Sequence, residues 1–140
     1  MNILTDKNIA RINKIAGQKP QIIAGYLFGS YQTGKQRQTS DIDLGFICFD
    51  KLDMDIPEFT LSVSKLFLPK EADTNVFDLK EKPIILMEIV NGRVIYQKDI
   101  NKRIKLENRI YKLYEDYLHL QSIKNYYLEK SFSEGIYANK

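Results

Sequence analysis

Phe28-Gly29-Ser30-Tyr31-Gln32-Thr33-Gly34-Lys35-Gln36-Arg37-Gln38-Thr39-Ser40-Asp41-Ile42-Asp43 is the stretch on which the reading of this chain turns. A Gly-Ser pair closes one apolar run, ten residues intervene, and an Asp-x-Asp pair opens a second apolar run. Gln21–Phe28 and Ile42–Phe49 each have the length and apolar character of a buried strand, and the first is followed by a glycine turn signal. In an extended chain, side chains two residues apart share a face. Asp41 and Asp43 therefore point the same way, about 6–7 Å apart along the strand. Two bare carboxylates so placed between apolar neighbours repel one another and are costly to bury. A divalent cation removes the problem, and magnesium favours a few carboxylates plus substrate phosphates over an all-protein cage. Gly29 permits close approach of backbone to a ligand, and Ser30 offers a hydroxyl to a phosphate oxygen. Lys35 and Arg37 sit in the connecting loop, where a cation either touches phosphate or faces water. Gly-Ser alone is a common turn, and Asp-x-Asp alone a common solvated strand end. Jointly, at this spacing between two strands, they point to a site for a metal-bound nucleoside triphosphate.

Outward from this motif the chain alternates helices and strands. Thr5-Asp6-Lys7-Asn8 offers N-caps ahead of Ile9, Ile12 and Ile15, one apolar stripe of a short helix closed by Gly17 and Pro20. Asp55 and Pro57 open a helix over Ile56–Leu68, which Pro69 ends. Ala72–Phe77 reads as a third strand, Pro83–Val90 as a helix stopped at Asn91-Gly92, and Arg93–Tyr96 as a short strand. The expected fold is α/β in the α+β sense, a small mixed sheet with flanking helices. From Lys98 to Lys130 one long amphipathic helix, or two, carries Leu106, Ile110, Leu113, Tyr117 and Leu120 as a stripe. That stripe is expected to pack on the sheet's open face, with a tyrosine-rich part available to dock a partner. The division is a core over residues 1–97, a helical extension over 98–130 of the same domain, and a frayed tail over 131–140.

At 140 residues the chain is one domain able to bury a real core. Charged residues at 28% and hydrophobic residues at 44% fit a soluble globular protein. The formal charge of +3 suits an anionic ligand but lacks the dense basic stripe of a nucleic-acid binder. A single cysteine, Cys48, excludes an internal disulfide and reads as a core thiol. His119, with no second histidine or cysteine cluster, argues against zinc. No signal peptide or membrane-length apolar run is legible, so the expectation is a cytoplasmic protein that meets no membrane.

The Gly-Ser, ten residues, Asp-x-Asp arrangement resembles the nucleotidyltransferase superfamily related to DNA polymerase β. In particular, the chain resembles the minimal nucleotidyltransferase antitoxins, from about Gln21 to Tyr96. The resemblance includes Pro83-Ile84-Ile85-Leu86-Met87-Glu88-Ile89-Val90-Asn91-Gly92-Arg93-Val94-Ile95-Tyr96, similar to that family's helix, glycine and short strand ending in tyrosine. It implies that Gly29 and Ser30 bind phosphate and that Asp41 and Asp43 ligate magnesium, as a pair of ions. The superfamily adds a third acidic residue from a neighbouring strand. Within Ala72–Leu79, alternation puts Asp73, Asn75 and Phe77 on one face and Thr74, Val76 and Asp78 on the other. Counting back from the following helix, the family's carboxylate falls on Asn75, a departure from its pattern. Asp73 shares that face and is the preferred third carboxylate and metal ligand; Asp78 reads as a turn or cap residue.

The resemblance implies transfer of AMP from ATP to a tyrosine hydroxyl of a HEPN-domain ribonuclease toxin, which the modification neutralises. Two other readings stay open: a non-catalytic antitoxin that blocks its toxin by contact, kept alive by Asn75, and a small-molecule nucleotidyltransferase. The short extension after the core disfavours relatives that need extra domains to grip nucleic acid.

Overall fold

The structure, a computed structural model, describes residues 4–29, 42–51 and 54–134. The first helix, α1 (Asp6–Gly17), starts where the Thr5 side chain accepts a hydrogen bond from the Asn8 amide at 3.1 Å. Asp6 in its first turn and Lys14 in its last complement the helix dipole. Two strands follow, β1 (Ile22–Phe28) and β2 (Ile42–Cys48). Helix α2 (Ile56–Ser64) is capped by Asp55, which accepts from the Glu58 amide at 3.2 Å. Strand β3 (Ala72–Phe77), helix α3 (Pro83–Val90) and strand β4 (Arg93–Gln97) complete the core. Helix α4 (Ile100–Ser133), capped by Asp99, ends the described chain.

The four strands form one sheet in the order β3-β2-β1-β4. β1 runs antiparallel to β2 and to β4, whereas β2 and β3 run parallel, so the sheet is mixed as expected. Helices cover both faces. On one, Leu27, Leu44 and Phe46 pack with Ile12 of α1 and with Phe59 and Val63 of α2. Phe46 and Phe59 meet edge to face, centroids 4.9 Å apart, a geometry the aromatic quadrupole favours. On the other, Ala24, Tyr26 and Ile47 pack with Leu86 and Ile89 of α3 and Leu106 and Ile110 of α4.

Helix α2 is shorter than its periodicity predicts. It passes at Ser64 into a 3-10 turn, Lys65–Phe67, rather than running to Leu68. Ser64 Oγ donates to the Ala72 carbonyl at 3.0 Å and lies 2.8 Å from Thr74 Oγ1, tying the helix end to β3. The third strand stops at Phe77, and Asp78 forms a turn by accepting from the Lys80 amide at 2.9 Å.

The long C-terminal segment is one helix, not two, and it stays helical through Ser133, so the frayed tail does not begin at residue 131. Residues 135–140 lie outside the described chain. The expected packing stripe is buried only at Leu106 and Ile110. Two contacts set the helix's direction. Arg103 Nε donates to Gln97 Oε1 at 2.6 Å, and Tyr26 Oη donates to Glu107 Oε1 at 2.9 Å. Gln97 pairs with Ala24, so between residues 103 and 107 α4 advances along β1 from the level of Ala24 to that of Tyr26. The helix thus advances in the sense of β1, from the Ala24 end towards the Gly29 end.

Candidate functional site

The site predicted from sequence lies where β1 ends and β2 begins. Gly29 follows β1 with φ of +77°, in the left-handed region that only glycine enters at little cost. A Cβ on Gly29 would stand 2.6 Å from Asp43 Oδ2. The residue therefore supplies both an unusual backbone conformation and the space that a carboxylate fills. Asp43 is half-buried, the second residue of β2, and pairs with Phe28 across the antiparallel ladder.

The parallel ladder between β2 and β3 fixes the rest. Asp43 aligns with Asp73, and Gly45 with Asn75. Side chains at aligned positions of neighbouring strands emerge on the same face, and neighbouring strands are about 4.8 Å apart. Asp43 and Asp73 are therefore adjacent carboxylates on one face, at the Gly29 end of the sheet. That is the face covered by α3, because a Cβ on Gly45 would meet Ile89 Cγ2 at 2.9 Å. Asp73 is exposed. Asn75 lies one step further into the sheet and donates from Nδ2 to Asp73 Oδ1 at 3.1 Å. The two side chains are thus direct hydrogen-bonded neighbours on that face. A carboxylate can accept a proton or ligate a cation, whereas a neutral amide is restricted to hydrogen bonding and weak ligation.

Four residues singled out in the sequence, Ser30, Lys35, Arg37 and Asp41, lie outside the described residues. Among the described residues no three His, Cys, Asp or Glu side chains come together as a metal-binding group. The pair Asp43 and Asp73 is what the described chain contributes. Gly92 is a further requirement that the sequence reading took only as a helix stop. A Cβ there would collide with the Leu27 carbonyl and stand 3.0 Å from Phe28 Cβ. The end of α3 is thereby pressed against the last two residues of β1, directly before Gly29. The Asn91-Gly92 stop signal was legible, but its long-range contact was not.

Three buried groups carry raised pKa values, Tyr96 among them through burial alone. Burial, with the Glu107 hydrogen bond next, raises Tyr26 far above the ordinary phenol value. Burial also pushes the Cys48 thiol up to about 11; its Sγ lies 3.5 Å from the Phe77 carbonyl to which it donates. An inert core thiol was the expectation from its strand setting, and these observations agree.

Comparison with known proteins bears on the whole arrangement. The profile of the family described as "Polymerase beta, Nucleotidyltransferase" matches residues 10–101. A relative named "Protein adenylyltransferase MntA", from Shewanella oneidensis, is 33% identical over 90 residues. That match covers 64% of this chain and 62% of the relative, so it spans less than two thirds of the relative's length. Among solved structures, a toxin–antitoxin structure with AMP-PNP superposes with a TM-score of 0.63 at 23% identity, covering 92% of this chain and 99% of the other. A structure of the tri-AMPylated Shewanella oneidensis HEPN toxin in complex with its MNT antitoxin gives a TM-score of 0.58 at 22% identity, covering 90% and 97%. These two likenesses establish a shared fold. No helix among the described residues is long and apolar enough to cross a membrane. Since the profile spans well over half the chain, from α1 to the start of α4, this protein belongs to the polymerase beta nucleotidyltransferase family.

Proposed function

We propose that the protein is an antitoxin that transfers AMP from ATP to a tyrosine of a HEPN-domain ribonuclease toxin. The observation carrying this reading is the in-register pair Asp43 and Asp73 on one sheet face beside the Gly29 turn. The likeness to an adenylyltransferase and to toxin–antitoxin structures supplies the substrate class.

The donor set fits magnesium. Neighbouring carboxylates on parallel strands repel unless a cation neutralises them, and hard oxygen ligands suit that ion. Asp41, Asp43 and Asp73 would hold it, and when bound it supplies charge neutralisation for the triphosphate. The Gly29 amide and Ser30 hydroxyl would hold the phosphates, and Lys35 and Arg37 would balance their charge. The tyrosine oxygen attacks the α-phosphorus as the bond from that phosphorus to the bridging oxygen breaks, and pyrophosphate leaves in line. Asp73, steadied by Asn75, accepts the tyrosine proton. Residues 1–97 carry this chemistry, α4 belongs to the helical extension, and the cytoplasm supplies the ATP.

The test is intact-mass measurement of the co-expressed toxin after incubation with ATP and magnesium. AMP-sized additions with the wild-type chain, absent with Asp43→Asn and with Asp73→Asn, support the reading. A toxin left unmodified yet inhibited by all three proteins overturns it in favour of inhibition by contact.

A further inference from the structure

Helix α4 overruns the fold that carries it. Its last buried residue is Ile110, and 23 further residues follow to Ser133, about 35 Å of helix. The anchors at Gln97 and Tyr26 lead it in the sense of β1, and the strand step from Tyr26 to Phe28 matches about four helix residues beyond Glu107. Phe28 is the partner of Asp43 in the ladder. Leu118 to Leu128 therefore lie roughly 10–25 Å further along the helix than residue 111, on the side of the carboxylate end of the sheet.

This projecting part is not built as a solvated helix. Leu120 is 64% exposed, Tyr126 59% and Tyr127 60%, and Leu118, Ile123 and Leu128 are exposed as well. At about 100° per residue, Leu118 and Leu120 point to nearly opposite sides, and Ile123 and Tyr126 fill directions between them. Apolar residues on all sides call for cover on more than one side, as in a groove between helices. Over residues 114–128 two acidic residues, Glu115 and Asp116, stand against one basic residue, Lys124. That balance opposes both nucleic acid and an anionic membrane, which select basic surfaces. It favours a protein whose groove has a basic rim, as a surface that holds RNA must have.

We propose that residues 114–128 of α4 are the docking arm for the protein acceptor: they enter an apolar, basic-rimmed helical groove of the ribonuclease and so present its tyrosine to Asp73. The inference rests on the adenylyl-transfer reading above, which it extends from chemistry to recognition. The arm supplies binding shared by ground and transition states, so its loss acts on KM more than on kcat.

The experiment uses the full chain and a triple variant, Leu120→Gln, Ile123→Gln and Tyr127→Gln, with helix content checked by circular dichroism. Nucleotide binding is read with a fluorescent ATP analogue and magnesium, association by sedimentation with the HEPN protein, and modification by intact mass. Unchanged nucleotide binding, lost co-sedimentation and kcat/KM lower by about tenfold or more, mostly in KM, support the arm. Co-sedimentation and turnover matching the wild type overturn it. If the wild-type chain co-sediments but adds no AMP, the transfer reading fails on its own. In that case co-sedimentation lost in the variant still upholds the arm, and co-sedimentation kept overturns it. A wild-type dimer that the variant breaks, with toxin binding unchanged, also overturns it and assigns the face to a second copy of this chain.

Discussion

Replacing Gly29 by alanine tests the site at its tightest point. An L-residue at φ of +77° costs about 1–2 kcal/mol in backbone strain alone. The new Cβ would also stand 2.6 Å from Asp43 Oδ2, where ordinary contact needs about 3.4 Å, so the carboxylate must retreat by roughly 0.8 Å. The strain predicts a melting temperature lower by roughly 3–10 °C for a chain of this size. If Asp43 holds the metal as proposed, displacing it by close to 1 Å predicts a loss of turnover of about a hundredfold. Differential scanning calorimetry and the time course of AMP addition to the toxin read the two effects separately. A double-mutant cycle with Asp43→Ala isolates the contact. Removing the carboxylate relieves the clash, so the two stability losses should fall short of additivity by about 0.5–1.5 kcal/mol. Additive losses, or a Gly29→Ala protein that melts and turns over like the wild type, would refute the reasoning.

Three further outcomes are expected. Tyr26→Phe removes the hydroxyl bonded to Glu107 but leaves Arg103 paired with it at 2.8 Å, so chemical denaturation should show a loss of about 1 kcal/mol with the fold intact. Gly92→Ala drives a methyl group into the Leu27 carbonyl, and it should cost about 1–3 kcal/mol and impair turnover together, because α3 can withdraw only by moving the end of β1. Stability should fall as pH rises from 9 to about 11, because the native chain keeps the Cys48 proton while the unfolded chain releases it. The ceiling is about 1.4 kcal/mol per pH unit for one group, and Cys48→Ala should flatten the decline in denaturant midpoints between about pH 9 and 10, above which the raised Tyr26 and Tyr96 phenols sustain it.

The parts of the site that were legible in sequence are those set by local pattern. Ile42-Asp43 at the head of an apolar run, and Gly29 after another, mark strand ends whatever surrounds them, and the described strands begin and end there. The choice among Asp73, Asn75 and Asp78 was different in kind. Strand alternation puts Asp78 on the opposite face, but which of Asp73 and Asn75 lies level with Asp43 depends on the register of a parallel pair, which no local signal encodes. The early end of α2 has the same origin, since Ser64 is held by β3 residues eight to ten positions away. The stripe on α4 was real as a period. How far a helix finds a surface to cover depends on the length of the sheet beneath it, which the periodicity of the helix does not contain.

The contacts at the base of α4 have a mechanical consequence. Arg103, Glu107 and Ile110 fasten about 10 Å of the helix, while Tyr111 to Ser133 extend about three times as far beyond it. A stiff rod pivoting there multiplies movement. With the pivot at Arg103, a shift of about 1 Å at Ile110 becomes one of roughly 4 Å at the tip. The hydrogen bonds from Arg103 to Gln97 and from Tyr26 to Glu107 thereby act as the bearing of a lever, and their tightness sets the aim of its far end.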